Sequence, residues 1–220
     1  SNEGVWINLY GSNVLDTELF DGSRIKLIQQ TNYPWDGEIR ITVDDAPTRE
    51  VSVFLRIPGW AESAGVNING TLMGGNLKAG QYFQIKRTWS VGDLIALVLP
   101  MPVQLIEAHP LAEEIRNHVA IKRGPIVYCL ESTDLQDGVK IMDVAIPLEI
   151  KPRNHFEKEL LGGVTVLEGK AHVLAGSDWG QTLYRQIEHQ EPKAVDVRLI
   201  PYYGWGNRGK SEMTVWMPLR

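Results

Sequence analysis

Apolar residues in this chain recur mostly at every second position, in short runs separated by glycine- and proline-containing turns. VWINLYGS sets Val5, Ile7 and Leu9 on one face and Trp6, Asn8 and Tyr10 on the other. VSVFLRIPGW does the same with Val51, Val53, Leu55 and Ile57. Between them, RIKLIQQT and EIRITVDD are joined by the turn-rich NYPWDG. GVNINGTLMGG contains Asn69-Gly70, the dipeptide that closes tight two-residue hairpins. QYFQIKRTW and LIALVLPMPVQLIEA follow around the turn SVGD. Strands at this spacing over roughly the first 108 residues predict an antiparallel sandwich or barrel.

The second half repeats the style without repeating the sequence. HVAIKRGPIVYCLES reads as two strands broken at Arg123-Gly124-Pro125, and VKIMDVAIP, GVTVLEGKAHVL, AVDVRLIPYY and EMTVWMPLR are further strand candidates. LAEEIRN (111–117) and NHFEKELL (154–161) have helical character, each too short to stand alone. The expected fold class is all-β: two consecutive antiparallel β-sandwich, jelly-roll-like domains with one or two short helices. The first spans 1–108 and the second 109–210, with the boundary in the acidic segment near 106–118.

At 220 residues, 43% hydrophobic and 22% charged, the chain can bury a core without metal or disulfide. A net charge of −5 and the lack of any basic run predict no nucleic-acid partner. No stretch approaches the ~20 apolar residues of a membrane span. A single cysteine, Cys129, excludes an intrachain disulfide and an all-cysteine metal site; in IVYCL a buried, inert thiol is expected. The expected location is cytoplasmic. Ser1-Asn2 resembles the residue pair left by proteolytic tag removal, which predicts a natural protein extending upstream.

No locally encoded catalytic, cofactor or metal site emerges. His109, His118, His155, His172 and His189 are isolated in sequence, leaving only convergence from distant strands as a route to a metal site. Glycoside hydrolysis needs paired carboxylates. Asp44 and Asp45 point to opposite faces of an extended strand, and Glu113 and Glu114 solvate a short helix. Glu107 stands alone. Glu131, closing IVYCLE, suggests partial burial, and a salt bridge to Arg123 or Lys122 is the simpler reading of it. Gly74-Gly75 and Gly162-Gly163 precede no helix that could hold a phosphate.

The tryptophans, Trp6, Trp35, Trp60, Trp89, Trp179, Trp205 and Trp216, are the most suggestive feature. PYYGWGNRG concentrates Tyr202, Tyr203 and Trp205 beside Arg208, and Trp35 sits in the turn YPWDG. Such aromatics stack on sugar rings or pack against a neighbouring domain. The packing reading is preferred, because Trp6, Trp60 and Trp89 fall at strand edges where cores close.

TNYPWDG (31–37), LRIPGWA (55–61), VNING (66–70), RTWSVGD (87–93), VAIKRGPIVYCLE (119–131) and LIPYYGWGNRGKSEMTVWMP (199–218) run through nearly the whole chain. In this order they resemble the C-terminal β-sandwich region of glycoside hydrolase family 127, the β-L-arabinofuranosidase-like proteins. The resemblance implies an active site in an upstream (α/α)6 barrel. There cysteines and a glutamate hold zinc, one cysteine is the nucleophile, and a second glutamate serves as acid/base. Cys129, the lone thiol, lies in a motif of the sandwich region, so no catalytic or metal residue is carried onto this chain and no cofactor is expected within it. The implied role is support of the barrel and subunit contacts, with a homodimer and the parent's carbohydrate substrate as further partners. The resemblance also implies that the last strand, 211–219, returns to complete the first sandwich, making that domain discontinuous. A carbohydrate-binding module using surface aromatics is the alternative. An independent enzyme built on dispersed carboxylates, tested through Glu131, is a third and weaker reading.

Overall fold

The computed structural model describes residues 4–75, 77–173, 181, 183, 184, 186 and 191–220. Trp179 and His189 lie outside the described residues. The chain divides into two units, Ser1–Pro102 and Val103–Arg220.

In the first unit, β1 (Gly4–Ile7), β5 (Glu50–Arg56) and β8 (Tyr82–Thr88) form one sheet, in the order β1–β5–β8. A second sheet runs β2–β3–β4–β9–β6–β7, from β2 (Asn13–Glu18), β3 (Arg24–Thr31), β4 (Glu38–Asp45), β6 (Gly65–Ile68), β7 (Thr71–Leu72) and β9 (Leu94–Val98). Alternation fixes which face is inward: Ile25 and Leu27 on β3, Ile39, Ile41 and Val43 on β4, and Val51, Val53 and Leu55 on β5 are all buried in one shared core. Each such aliphatic contributes about 1.5–3 kcal/mol by leaving water. The antiparallel expectation fails in this unit where β1 runs parallel to β5, with Val5 beside Val53 and Ile7 beside Leu55.

The predicted face assignment of VWINLYGS also fails beyond Ile7. The chain leaves the sheet there, so Leu9 is 79% exposed while Tyr10 turns inward and donates its hydroxyl to the Arg56 carbonyl at 2.6 Å. Asn69-Gly70 does close the β6–β7 hairpin, with φ of 50° and 85° at the two turn residues. Both values lie in the left-handed region that a type I′ turn requires.

The second unit is one branched sheet, with its main path β10–β11–β12–β16–β15–β13. Its strands are β10 (Val103–Glu107), β11 (His118–Arg123), β12 (Ile126–Glu131), β13 (Val144–Ala145), β14 (Arg153–Glu157), β15 (Val164–Val173), β16 (Lys193–Pro201), β17 (Met213–Thr214) and β18 (Met217–Pro218). The hairpin β11–β12 is paired at its closed end, Arg123 with Ile126 through Ile121 with Tyr128, and then splays. The C-terminal ribbon fills the opening: Met213 and Thr214 pair with β12, Met217 and Pro218 with β11.

This arrangement corrects the domain reading at both ends. Segment 211–219 completes the second unit and not the first. The boundary falls at Pro102, before the acidic segment, because Pro100 and Pro102 interrupt the ladder and β10 pairs with β11 over its whole length. LAEEIRN contracts to a single 3₁₀ turn, Glu113–Ile115. NHFEKELL supplies β14 in place of a helix, since the edge of β15 offers that segment a full register of hydrogen bonds that an isolated short helix cannot match. VKIMDVAIP gives a 3₁₀ turn and only the two residues of β13.

Candidate functional site

The aromatic tract begins where β16 ends. Tyr202–Gly204 forms a 3₁₀ turn, after which the chain runs to Ser211 before β17. A fully buried carboxylate at the end of β12 organises this loop. Glu131 accepts the Gly206 N–H and the Ser211 hydroxyl on Oε1, both at 2.9 Å, and Arg208 Nε on Oε2 at 2.9 Å. The same guanidinium spans to Asp134, with Nη1 to Oδ1 at 2.9 Å and Nη2 contacting both carboxylates. The chain is tied a second time where Ser132 N–H donates to the Glu212 carbonyl at 2.9 Å and Glu212 N–H to Ser132 Oγ at 3.0 Å.

Burial alone would push the Glu131 carboxyl up. The Gly206 N–H, the Arg208 guanidinium and the Ser211 hydroxyl outweigh it and hold the group below its ordinary value of 4.5. Such a carboxylate is ionised, saturated with donors and away from solvent, which suits a structural anchor and not a general acid. The partner expected from sequence was wrong. Arg123 sits beside Ile126 at the closed end of the hairpin, about 17 Å along the strand from Glu131, so neither it nor Lys122 can reach. Arg208 lies far away in sequence, and no local spacing could have pointed to it.

Above this anchor Tyr203 is 64% exposed, and Tyr202 and Trp205 are about half exposed. The structure therefore brings three of the four predicted aromatics into one rigidly held surface turn. Trp35 belongs to the first unit, half-buried in the β3–β4 turn. That turn is cross-braced by Thr31 Oγ1 donating to the Glu38 carbonyl at 2.6 Å and by Asp36 Oδ1 accepting the Glu38 N–H at 3.0 Å. Of the other tryptophans, Trp89 is buried with its indole N–H on the Val51 carbonyl, and Trp60 packs against the core.

Asp44 bonds Lys26 at 2.8 Å, and Glu113 and Glu114 open the 3₁₀ turn. The strand register brings together one group that sequence reading missed, His155 and Glu157 on β14 with Glu168 on β15. Their spacing of two along a strand was a usable signal, because it puts His155 and Glu157 on one face. Glu157 is already paired with Arg198 and lies 3.0 Å from His155 Nε2, so the group reads as an ion-pair cluster.

Cys129 is wholly buried on β12, and burial, aided by the nearby Glu131 charge, pushes its thiol up to about 12. With one cysteine in the whole sequence and that one protonated, a cysteine-held zinc does not fit this chain. The native thiol should resist Ellman's reagent and react fully only in denaturant. Fast labelling of the folded chain would contradict the burial described.

These two all-β units coincide with two successive domains of one glycoside hydrolase family. Residues 4–101 match the family model for the β-L-arabinofuranosidase GH127 middle domain, and residues 103–218 match that for the glycoside hydrolase family 127 C-terminal domain. The chain belongs to glycoside hydrolase family 127. It is 34% identical over 212 residues to the non-reducing end β-L-arabinofuranosidase of Bifidobacterium longum subsp. longum, a match covering 88% of this chain and 30% of that protein. Among solved structures, a glycoside hydrolase superposes with a TM-score of 0.94 at 49% identity, over all of this chain and 36% of that one. Ara127N-Se, a GH127 β-L-arabinofuranosidase from Geobacillus stearothermophilus T6, gives 0.90 at 42% identity, over all of this chain and 34% of that one. The chain thus spans about a third of the length of the relatives it matches.

Proposed function

We propose that this chain is the supporting, non-catalytic portion of a β-L-arabinofuranosidase-like hydrolase, with turnover residing in a linked upstream domain that carries the zinc. The observation that carries this reading is the state of Glu131. The carboxylate with the most site-like setting spends its oxygens holding a surface loop, and the single thiol is buried and protonated. The anchored Tyr202–Trp205 turn is then a preformed contact surface, costing little conformational entropy to dock.

The test compares this chain with the full-length protein on p-nitrophenyl β-L-arabinofuranoside. Release of nitrophenol by the long protein alone is expected. Hydrolysis by the isolated chain that disappears in Glu131→Gln would overturn the proposal.

A further inference from the structure

The two sheets of the first unit part at one edge, where β1 faces β2 and β3, and leave a cleft of about 160 Å³. Its lining includes Trp6, Asn8, Asn13, Leu15, Gln29 and Ile41, and no charged side chain among the described residues contributes to it. The volume is below the ~300 Å³ at which drug-sized pockets begin. It equals a handful of waters at ~30 Å³ each, the scale of one small polar ring.

Gln29 decides what the cleft can recognise. It is 5% exposed, and its Nε2 donates to the Gly11 carbonyl at 2.6 Å and, more weakly, to the Leu9 carbonyl at 3.4 Å. Two carbonyl acceptors fix the amide orientation, so the other atom is the oxygen. That buried Oε1 meets no hydrogen-bond donor among the described residues. A buried acceptor left unpaired is destabilising, and a ligand donor would relieve that cost.

The rim continues the same chemistry. Asn8 Oδ1 accepts the Tyr82 hydroxyl at 2.7 Å, which leaves its Nδ2 as a donor. Asn13 Nδ2 donates to the Gly11 carbonyl at 2.7 Å, which leaves its Oδ1 as an acceptor. Leu15 and Ile41 give apolar wall. Trp6 is stacked on Phe54 at 4.0 Å and braced edge-on by Tyr82 at 4.7 Å, so it forms a rigid flank.

Among the described residues the walls carry no charge, Arg56 at the rim being turned to the Asn8 carbonyl at 3.3 Å, and a purely apolar ligand would strand Gln29 Oε1. Alternating donors and acceptors over aliphatic and aromatic walls match a neutral polyol ring, with hydroxyls for the amides and C–H faces for the walls. We infer that this cleft is a binding subsite for a single neutral sugar residue, with a sugar hydroxyl donating to Gln29 Oε1. The inference concerns the first unit alone and does not depend on where turnover resides.

The test is saturation-transfer NMR and calorimetric titration of the 220-residue chain with L-arabinose, D-xylose and D-glucose. Saturable binding of at least one sugar is expected, weakened at least tenfold in Gln29→Leu. Because that change also removes the bonds to Gly11 and Leu9, the rim variants Asn8→Ala and Trp6→Ala are measured alongside. Each should weaken binding at least threefold while keeping a cooperative thermal transition. No saturable binding of any of the three sugars by folded chain overturns the inference. So does binding that all three variants leave intact, which would place it elsewhere, on the Tyr202–Trp205 turn for example.

Discussion

Replacing Arg208 with alanine is expected to destabilise the second unit by about 3–5 kcal/mol, the cost of stripping a buried ion pair of one partner. The side chains of Glu131, Asp134 and Arg208 are 0%, 7% and 18% exposed, so removing the guanidinium leaves two neighbouring carboxylates with almost no water to take its place. Arg208→Lys should recover little of this, because an ammonium cannot span both carboxylates in the forked geometry seen here. Urea unfolding followed by tryptophan fluorescence would measure both variants.

Acidity supplies an independent check. Glu131 is held below its ordinary 4.5 in the folded chain, so its contribution to stability is complete above that value and fades as pH falls through the folded one. The gap between wild type and Arg208→Ala should therefore narrow in acid. A gap under about 1 kcal/mol at neutral pH is the size of a surface ion pair and would mean that the network is solvated.

Gly37→Ala is the second large effect expected. A Cβ there would lie 1.9 Å from the Leu99 carbonyl oxygen and 3.2 Å from Leu99 Cβ. The obstacle is backbone, so no rotamer change relieves it. The same approach carries the hydrogen bond from Leu99 N–H to the Gly37 carbonyl at 2.9 Å, which must lengthen as the chains separate. Overpacking and the weakened bond together should cost about 3 kcal/mol. Gly11→Ala is the control, since nothing lies within 4 Å of its Cβ position and its backbone is unstrained. Equal melting temperatures for the two variants would refute the close-approach argument.

What could be read from sequence was what is encoded locally. Period-two alternation gave the strands from β3 to β5 and the inward face of β5, and Asn69-Gly70 gave the β6–β7 turn. Where the chain quits a sheet the pattern misled, as at Leu9 and Tyr10. The strand Asn13–Glu18 carries mostly exposed residues and so left no periodic trace. At the aromatic loop the exposed residues were visible as a cluster, while the anchor beneath was not. Glu131, Asp134 and Arg208 meet only through the pairing of β12 with β16 and β17. The Gln29 cleft was hidden for a related reason, because a glutamine in an alternating strand looks ordinary until the opposing sheet is in place.

The wedge between β11 and β12 has a consequence for synthesis on the ribosome. Val119 finds its partner in Met217 and Leu130 in Thr214, across nearly all of the second unit's sequence. A nascent chain in which residues 211–219 have not yet emerged has a splayed β11–β12 hairpin with unpaired strand edges, while every pairing of the first unit is already available to it. The first unit can therefore fold ahead of the second, which must wait for residues 213–218. The interval between the two is when the open edges of β11 and β12 are exposed to other chains.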